Sequence, residues 1–587
     1  MKVSDYIASV LKINDVNHVF GVQGGAVVHL FDSLEKSDGI YAIYCHHEQA
    51  SALAAVSNAK VKNALGCCIV TTGPASTNAI TGLLAAWQDS VPVIFISGQT
   101  RVEHTSYGKP VRQVGSQEFN ILDIVKPITK YSKLVTSAKE IPAIFEEAIQ
   151  KSLEGRMGPV WIDIPVNIQW EDFDYEAPQA LEIKKLPIGN KREVTNQFTE
   201  IMQLIQDCKR PLIIAGNGIR ASKSEINFLK FLNKTKIPFV STWTSADLTF
   251  TDNYLFGGII GVAGQRGANK ALYEADLIIC LGTHLAITQT STLFDEFAKN
   301  AKKAIIDIDL GELENLNIPF DLKIHSDLKD FFLWLENINI DYETNQKWLE
   351  LIKKLKELNS TLLTLNLKSS IGSESNVNSN YFNFMLTSKI PSNSNIVIDG
   401  GGTALYTGFQ STILKENQRI ICSSAISAMG TGLPESIGVA FGHPTYPVYC
   451  IIGDGSLMFN IQELQTIFHH KLPIKIIVYN NNGYLAIKHT QKSFLNEKYF
   501  GTDIDHGISF PSIKKVAECF QLDYIRVDSI GKVESLINQI IKHSGPLLVE
   551  VIVPSGQSML FQQGYKEISN GRFQPCNLSE MQPFINQ

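Results

Sequence analysis

Short, almost wholly apolar runs bounded by Gly, Pro or Asn constrain this chain more than any other feature. ALGCCIVTT, VPVIFISG, GPVWIDIP, RPLIIAG, ADLIICLG, KKAIIDID, NIVIDGG, YPVYCIIGDG, LPIKIIVYNNN and GPLLVEVIVP recur along it, separated by stretches with a helical period. A strand that is apolar at successive positions must be covered on both faces, the condition of a parallel sheet wrapped by crossover helices. The chain therefore reads as α/β throughout, with largely parallel, doubly wound sheets. At 587 residues it is too long for one core, and domain sizes favour about three or four compact units.

The breaks in the pattern set the divisions. A first α/β unit occupies residues 1–170. The polar, Pro-containing stretch 171–193 reads as a linker, and a middle unit follows over 194–345. Residues 346–390 begin as a charged helix and pass into SSIGSESNVNSN, a Ser/Asn-rich connector. A third α/β unit spans 391–555, and 556–587 form a closing flap or a packed tail. Hydrophobic residues make up 44%, charged residues 19%, and the net charge is −6. This balance gives no electrostatic reason to bind nucleic acid or an anionic membrane. No apolar run reaches the ~20 residues that span a bilayer. The amphipathic N-terminal stretch is interrupted by Asp5, Lys12 and Asp15, unlike the core of a signal peptide. Nine cysteines without a C-x-x-C pair read as free, mostly buried thiols in a reducing, cytoplasmic setting.

The strongest chemical signal lies in the third unit. A buried strand, Val448 to Ile452, runs into Gly453-Asp454-Gly455-Ser456; an amphipathic helix (Ile461, Leu464, Ile467, Phe468) follows. A second strand then ends in Asn480-Asn481-Asn482-Gly483. One parallel crossover places both loops at the carboxyl ends of neighbouring strands, where open α/β sheets bind ligands. A carboxylate (Asp454), a side-chain amide oxygen (Asn481) and a backbone carbonyl (Gly483) are hard donors. Mg²⁺ takes a few such donors and completes its shell with water and phosphate oxygens. Gly453 and Gly455 allow close approach of backbone to phosphate, and a helix start after Ser456 adds amide donors. G-D-G alone is an ordinary turn; the two loops together point to a metal-bound diphosphate.

The first unit offers a second set of loops on one sheet edge. A strand ends in His46-His47-Glu48-Gln49, and the next in Thr71-Thr72-Gly73-Pro74-Ala75-Ser76-Thr77-Asn78. One loop earlier lies Gly21-Val22-Gln23-Gly24-Gly25. Small, polar, close-approaching loops of this kind make a ligand mouth. A lone Glu opening a helix would otherwise be a favourable first-turn charge.

These stretches, with HHEQASALAA, TTGPASTNAITGLLAAWQDSVPVIFISGQ, DIVKPITK, SAMGTGLPESIG and GDGSLMFNIQELQT, carry a resemblance. Over nearly its whole length the chain resembles the thiamine-diphosphate enzymes of the acetohydroxyacid synthase (acetolactate synthase large subunit) type. The resemblance implies three domains: pyrimidine-binding, middle and diphosphate-binding. It implies thiamine diphosphate and Mg²⁺ held by Asp454, Asn481 and the Gly483 carbonyl. Glu48 would hydrogen-bond N1′ of the aminopyrimidine and drive its imino form. Met429 would wedge beneath the cofactor, with the backbone of Ser427 and Met429 pairing to the pyrimidine. Val22, Gln23, Gly24, Thr71, Pro74 and Asn78 would line the pyrimidine end, and Gln117 would reach the reacting centre. A homodimer, or a dimer of dimers, would be the active form, because family members build each site from two subunits.

Departures from the family concern the acceptor. Val166 stands where a Lys is expected, and Thr283 to Thr288 replace an arginine-containing run that contributes to FAD binding, which weighs against FAD. Thr490 or Gln491 stands where a Trp is expected, and Ser116 where a Phe is. HHEQA, RQVGSQE, DIPVNIQ, NNNGYLAI and SEMQPF look more like the acetolactate-synthase-like proteins of surface-polysaccharide and deoxysugar pathways. The expectation is carboligation of a 2-keto acid, pyruvate, onto a carbonyl acceptor such as a keto-sugar. Gly25, Arg112, Lys488, His489 and Thr490 are the candidate substrate contacts. Acetolactate synthesis from pyruvate alone is the alternative. Simple 2-keto-acid decarboxylation ranks below it, because the His pair that decarboxylases use has no match. A catalytically inactive homologue conflicts with the intact Glu48, Asp454 and Asn481.

Overall fold

The computed structural model describes residues 1–584 except 175, 180, 185–187, 189, 190, 368–370, 570 and 571. Parts of the expected linker, connector and tail thus lie outside the described residues. Among those described, the apolar runs form three six-stranded parallel sheets.

The first contains β1 (His18–Gly21), β2 (Tyr41–Tyr44), β3 (Gly66–Val70), β4 (Val93–Gln99), β5 (Tyr131–Leu134) and β6 (Val160–Pro165). The second contains β7 (Pro211–Ala215), β8 (Phe239–Ser241), β9 (Phe256–Ile259), β10 (Leu277–Leu281), β11 (Lys302–Asp307) and β12 (Leu322–His325). The third contains β13 (Asn395–Ile398), β14 (Arg419–Ile421), β15 (Val448–Gly453), β16 (Ile474–Asn480), β17 (Asp523–Val527) and β18 (Leu547–Ile552).

The outer sheets share one topology. The first runs β2-β1-β3-β4-β6-β5 and the third β14-β13-β15-β16-β18-β17, so strands counted within each unit read 2-1-3-4-6-5 in both. The middle sheet, β12-β11-β10-β7-β8-β9, has the 3-2-1-4-5-6 order when read from its β9 edge. In every sheet the order reverses beside the first strand, which opens a crevice at the carboxyl ends of β1/β3, β7/β10 and β13/β15. The central strands β3, β4, β7, β10 and β13 are buried at every position, as strands covered on both faces must be.

Packing joins the units. One apolar core holds Phe20, Ala55 and Phe95 of the first unit together with Leu433, Ile437 and Ile476 of the third. A second runs from Phe228 and Phe331 of the middle unit to Phe382 and Phe409 of the third. Among its described residues the expected connector contains three helices with different allegiances. Helix Gln346–Glu357 sends Trp348 and Ile352 into the middle core. Helix Ser379–Lys389 packs with the third unit, with Phe382 and Leu386 in its core. Between them lies helix Thr361–Leu367. The tail returns to the middle unit: Gln563 N donates to the Val262 carbonyl at 2.7 Å, Arg266 Nη1 to the Met581 carbonyl at 3.0 Å, and Leu578 enters that core. No helix among the described residues is long and apolar enough to cross a membrane. All nine cysteines are free thiols, and all but Cys208 and Cys519 are buried.

Candidate active site

The loops after β15 and β16 meet, because those strands are paired with Gly453 opposite Tyr479. Asp454 and Asn481 are each 2% exposed. Asp454 Oδ1 accepts from Gly455 N at 2.8 Å, and Oδ2 accepts from Asn481 N at 3.1 Å and Gly483 N at 3.3 Å. Burial outweighs these amides and pushes the carboxyl up to about 6, so a nearby cation would be needed to settle its charge. Asn481 Oδ1 is buried and has no hydrogen-bond partner. An orphaned acceptor beside a buried carboxylate fits a hard cation, and the pair could hold Mg²⁺ with the Gly483 carbonyl.

The helix expected after Ser456 is shorter than its pattern suggested. Residues Asp454–Leu457 make one turn, and a separate helix spans Glu463–His469. The break lets Asn460 turn back, where its Nδ2 donates to the Gly430 carbonyl at 2.8 Å and to Gln49 Oε1 at 3.1 Å. The Met429 loop is thereby fixed from below. Ser427 adopts φ 47° and Gly430 φ 81° on either side of Met429; a left-handed serine costs of order 1 kcal/mol and marks an imposed conformation.

Asp399, at the end of β13, is a residue that pattern reasoning missed. It is fully buried, and its carboxylate accepts from Gly401 N at 2.8 Å and Gly432 N at 2.9 Å. Burial raises its pKa, and hydrogen bonds from Gly432, Ser456, Gly401 and Gly430 oppose the shift. One carboxylate thus ties together the loops at 400–402, 430–432 and 456. A strand-terminal Asp followed by Gly-Gly was the available signal.

In the first unit β2, β1 and β3 are neighbours, so the loops bearing Glu48, Gly24 and Thr71 share one edge. Glu48 opens helix Glu48–Lys62, capped by His47, whose Nδ1 accepts from Gln49 N. Asn78 Nδ2 donates to Glu48 Oε2 at 3.0 Å. Gly24 lies against Thr71, where a Cβ would stand 2.6 Å from the Thr71 Cβ, and Ala26 N donates to Thr71 Oγ1 at 3.2 Å. A Cβ on Gly73 would overlap the Gln117 carbonyl, which puts Gln117 beside the Thr71–Pro74 loop. Val22 is half-buried; Gln23, Gly25, Pro74, Asn78 and Gln117 are exposed along this edge.

The two halves are held at a fixed distance within one chain. Helix Glu48–Lys62 crosses helix Gly432–Gly442 so closely that a Cβ on Gly438 would overlap the Ala54 carbonyl. Asn58 Nδ2 donates to the Gly438 carbonyl at 2.9 Å, and His46 N donates to Glu463 Oε1 at 3.1 Å. Beneath this crossing, Lys60 Nζ reaches Asp89 Oδ2 at 2.7 Å and Glu435 Oε1 at 3.8 Å.

Of the candidate substrate residues, Lys488, His489 and Thr490 share helix Leu485–Phe494, and each has a partner within the chain. Lys488 Nζ pairs with Asp503 at 2.6 Å, and His489 Nε2 contacts the Gln557 carbonyl at 2.8 Å. Thr490 Oγ1 donates back to the Ala486 carbonyl at 3.1 Å. Arg112 is exposed on the loop before Gln117, and Gly25 faces open space.

Donors near the middle crevice have partners within the chain. At its first strand-to-helix turn, Gly216 N and Gly218 N already donate to the Leu281 and Gly282 carbonyls at 2.9 Å. Arg156 pairs with Asp309 at 3.1 Å and with Glu312, which also meets His284 Nδ1 at 2.6 Å. These donors thus meet acceptors of the chain itself.

Comparison with known proteins agrees with the three-sheet fold. The N-terminal TPP binding domain of thiamine pyrophosphate enzymes matches residues 1–124, their central domain 198–335 and their C-terminal TPP binding domain 400–551. The acetolactate synthase large subunit of Cyanidium caldarium is 31% identical over 92% of both chains. The acetolactate synthase isozyme 2 large subunit of Escherichia coli K12 is 28% identical, covering 94% of this chain and 96% of its own. The acetolactate synthase 2 of Nicotiana tabacum is 30% identical, covering 95% and 83%.

Proposed function

The chain belongs to the thiamine pyrophosphate enzymes of the acetolactate synthase type, and from that premise we propose a carboligase whose acceptor is bulkier than pyruvate. It would decarboxylate a 2-keto acid, pyruvate, and transfer the acyl unit to an acceptor carbonyl such as that of a keto-sugar. Thiamine diphosphate supplies the electron sink for both bond changes. Asp454, Asn481 and the Gly483 carbonyl would hold Mg²⁺ against its phosphates, with Gly453, Gly455 and Ser456 lining that end. Glu48, steadied by Asn78 at 3.0 Å, would exchange a proton with N1′ of the aminopyrimidine. Met429, with the backbone of Ser427, would support the pyrimidine, while Val22, Gln23, Gly24, Thr71 and Pro74 line it. Gln117 would stand at the reacting centre.

The observation that carries the bulky acceptor is the trio of Ser116, Val166 and Thr490, small or uncharged where the resemblance places Phe, Lys and Trp. Ser116 and Thr490 are exposed and Val166 half-buried. Holoenzyme is to be incubated with pyruvate alone and with pyruvate plus candidate keto-sugars. A crossed product formed in preference to acetolactate supports the reading; acetolactate formed from pyruvate alone at a biosynthetic rate overturns it. That second outcome would favour acetolactate synthesis, which the names of the relatives suggest.

The reading includes a cytoplasmic homodimer, or a pair of such dimers. Met458 and Phe459, 40% and 55% exposed, flank the diphosphate half, and Val111 and Val114, 51% and 47% exposed, flank Gln117. Apolar rims around both half-sites suit a second copy of the chain.

A further inference from the structure

The first sheet hides a polar column. β4 and β6 pair with Ser97 opposite Asp163 and Gln99 opposite Pro165, so Ser97, Gln99 and Asp163 point to one face. All three are buried. A buried carboxylate needs its oxygens filled, and three donors fill this one. Ser97 Oγ donates to Oδ1 at 2.5 Å, and Tyr107 OH and Gln99 Nε2 donate to Oδ2 at 2.9 and 3.1 Å.

Two of those donors lead to the active-site loop. Gln99 Nε2 also donates to the Phe119 carbonyl at 3.1 Å, and Gln99 Oε1 accepts from Thr100 N at 2.9 Å and Thr72 Oγ1 at 3.1 Å. Thr72 Oγ1 lies 3.3 Å from the Gln117 carbonyl as well. Tyr107 and Phe119 therefore bracket the irregular segment that carries Gln117. Inside it, buried Glu118 accepts from Ser106 N and Oγ at 2.7 Å each and from Val114 N at 2.9 Å, closing the loop on itself. Gln117 has φ 65°, a left-handed conformation that a glutamine keeps only where its surroundings impose it.

We propose that Asp163 is a positioning residue for the reaction: through Tyr107 and Gln99 it fixes segment 105–119 and sets where Gln117 stands on the acceptor side. This rests on the placement of Gln117 at the reacting centre of the proposed carboligase. Glu48 and the Asp454–Asn481 pair hang on other contacts, so the network governs the steps after proton exchange and leaves proton exchange itself alone.

Tyr107→Phe removes one donor and keeps the ring. In the holoenzyme, amide hydrogen exchange over 105–119 should quicken by about tenfold while the rest of the chain is unchanged. Exchange of the cofactor C2 proton should stay as in the parent. The ratio of carboligation product to released aldehyde should fall by about tenfold or more, since small misplacements of a reacting group cost rate steeply. Asp163→Asn, where it folds, should shift the same readouts further. Gln117→Ala is the reference: an unchanged product ratio there means that the Gln117 assignment has failed, and the proposal with it. If Gln117→Ala changes the ratio and Tyr107→Phe does not, whether or not loop exchange quickens, the positioning role alone is overturned.

Discussion

Asn481 presents a buried amide oxygen without a partner 27 residues from a carboxylate that receives three backbone amides. An unfilled acceptor contributes nothing to the fold by itself, so its removal should cost the apo chain less than about 1 kcal/mol. Its loss from a metal shell is another matter. Asn481→Ala should weaken Mg²⁺-dependent binding of thiamine diphosphate by about tenfold or more, read by titrating Mg²⁺ against intrinsic fluorescence, while the apo melting temperature hardly moves. Glu48 is different in kind, since its carboxylate meets Asn78 at an exposed edge. Glu48→Ala should leave folding and cofactor affinity near the parent values and lower turnover by about 10²-fold or more. Asp454, Asn481 and Glu48 were all legible in the chain because each ends or follows a strand with its own apolar signature. Asp163 and Asp399 were not. A lone Asp in or after an apolar run announces only a buried carboxylate, and its partners come from register and from loops 30 to 60 residues away.

At the scale of elements, the helix pair Glu48–Lys62 and Gly432–Gly442 sets how the first and third units are placed relative to each other within one chain. The helix opening at Glu48 was visible in the sequence, but the second helix and the crossing were not, because a helix buried nearly all round has no stripe to show which neighbour it meets. Charge is buried there too. Glu435 is fully buried, its Oε1 accepts from Ser423 Oγ at 2.5 Å, and its Oε2 has no partner. Burial first of all pushes its carboxyl up to about 7, against the opposing pull of Lys60. The folded chain therefore holds a proton that the unfolded chain releases near pH 4.5. The stability linked to this proton is fully present below pH ~4.5 and lost as the pH rises through ~7. Glu435→Gln keeps the hydrogen-bonding shape and removes the titration. Melting temperatures measured from pH 5 to 8 should decline less with pH in this variant than in the parent, and an identical slope would mean that Glu435 is ionised throughout. The broken helix around Asn460 was equally unreadable, since Met458, Phe459 and Ile461 continue the apolar pattern across the break.

For the whole molecule, one strand order used in both outer units gives two crevices of the same kind, with Glu48, Thr71 and Gln117 on the loops at the edge of one sheet and Asp399, Asp454 and Asn481 on those of the other. The alternation of apolar runs and helices made the three sheets legible, whereas the shared order depends on crossovers that no local pattern encodes. How two such crevices serve one cofactor is a question of assembly, and it can be decided with inactive chains. Glu48→Ala lacks the proton-exchanging carboxyl, and Asn481→Ala lacks a metal donor. If each site takes Glu48 from one copy and Asn481 from the other, a mixed dimer has one site with both defects and one with neither. Random exchange in an equimolar mixture then restores about a quarter of the parent activity. If both groups come from the same chain, every site carries one defect and the mixture stays as inactive as its components. The expected outcome is restoration to about a quarter, appearing only after the dimers have been dissociated and reassociated together. Turnover of the parent should accordingly fall with dilution along the same curve as its dimer fraction in sedimentation.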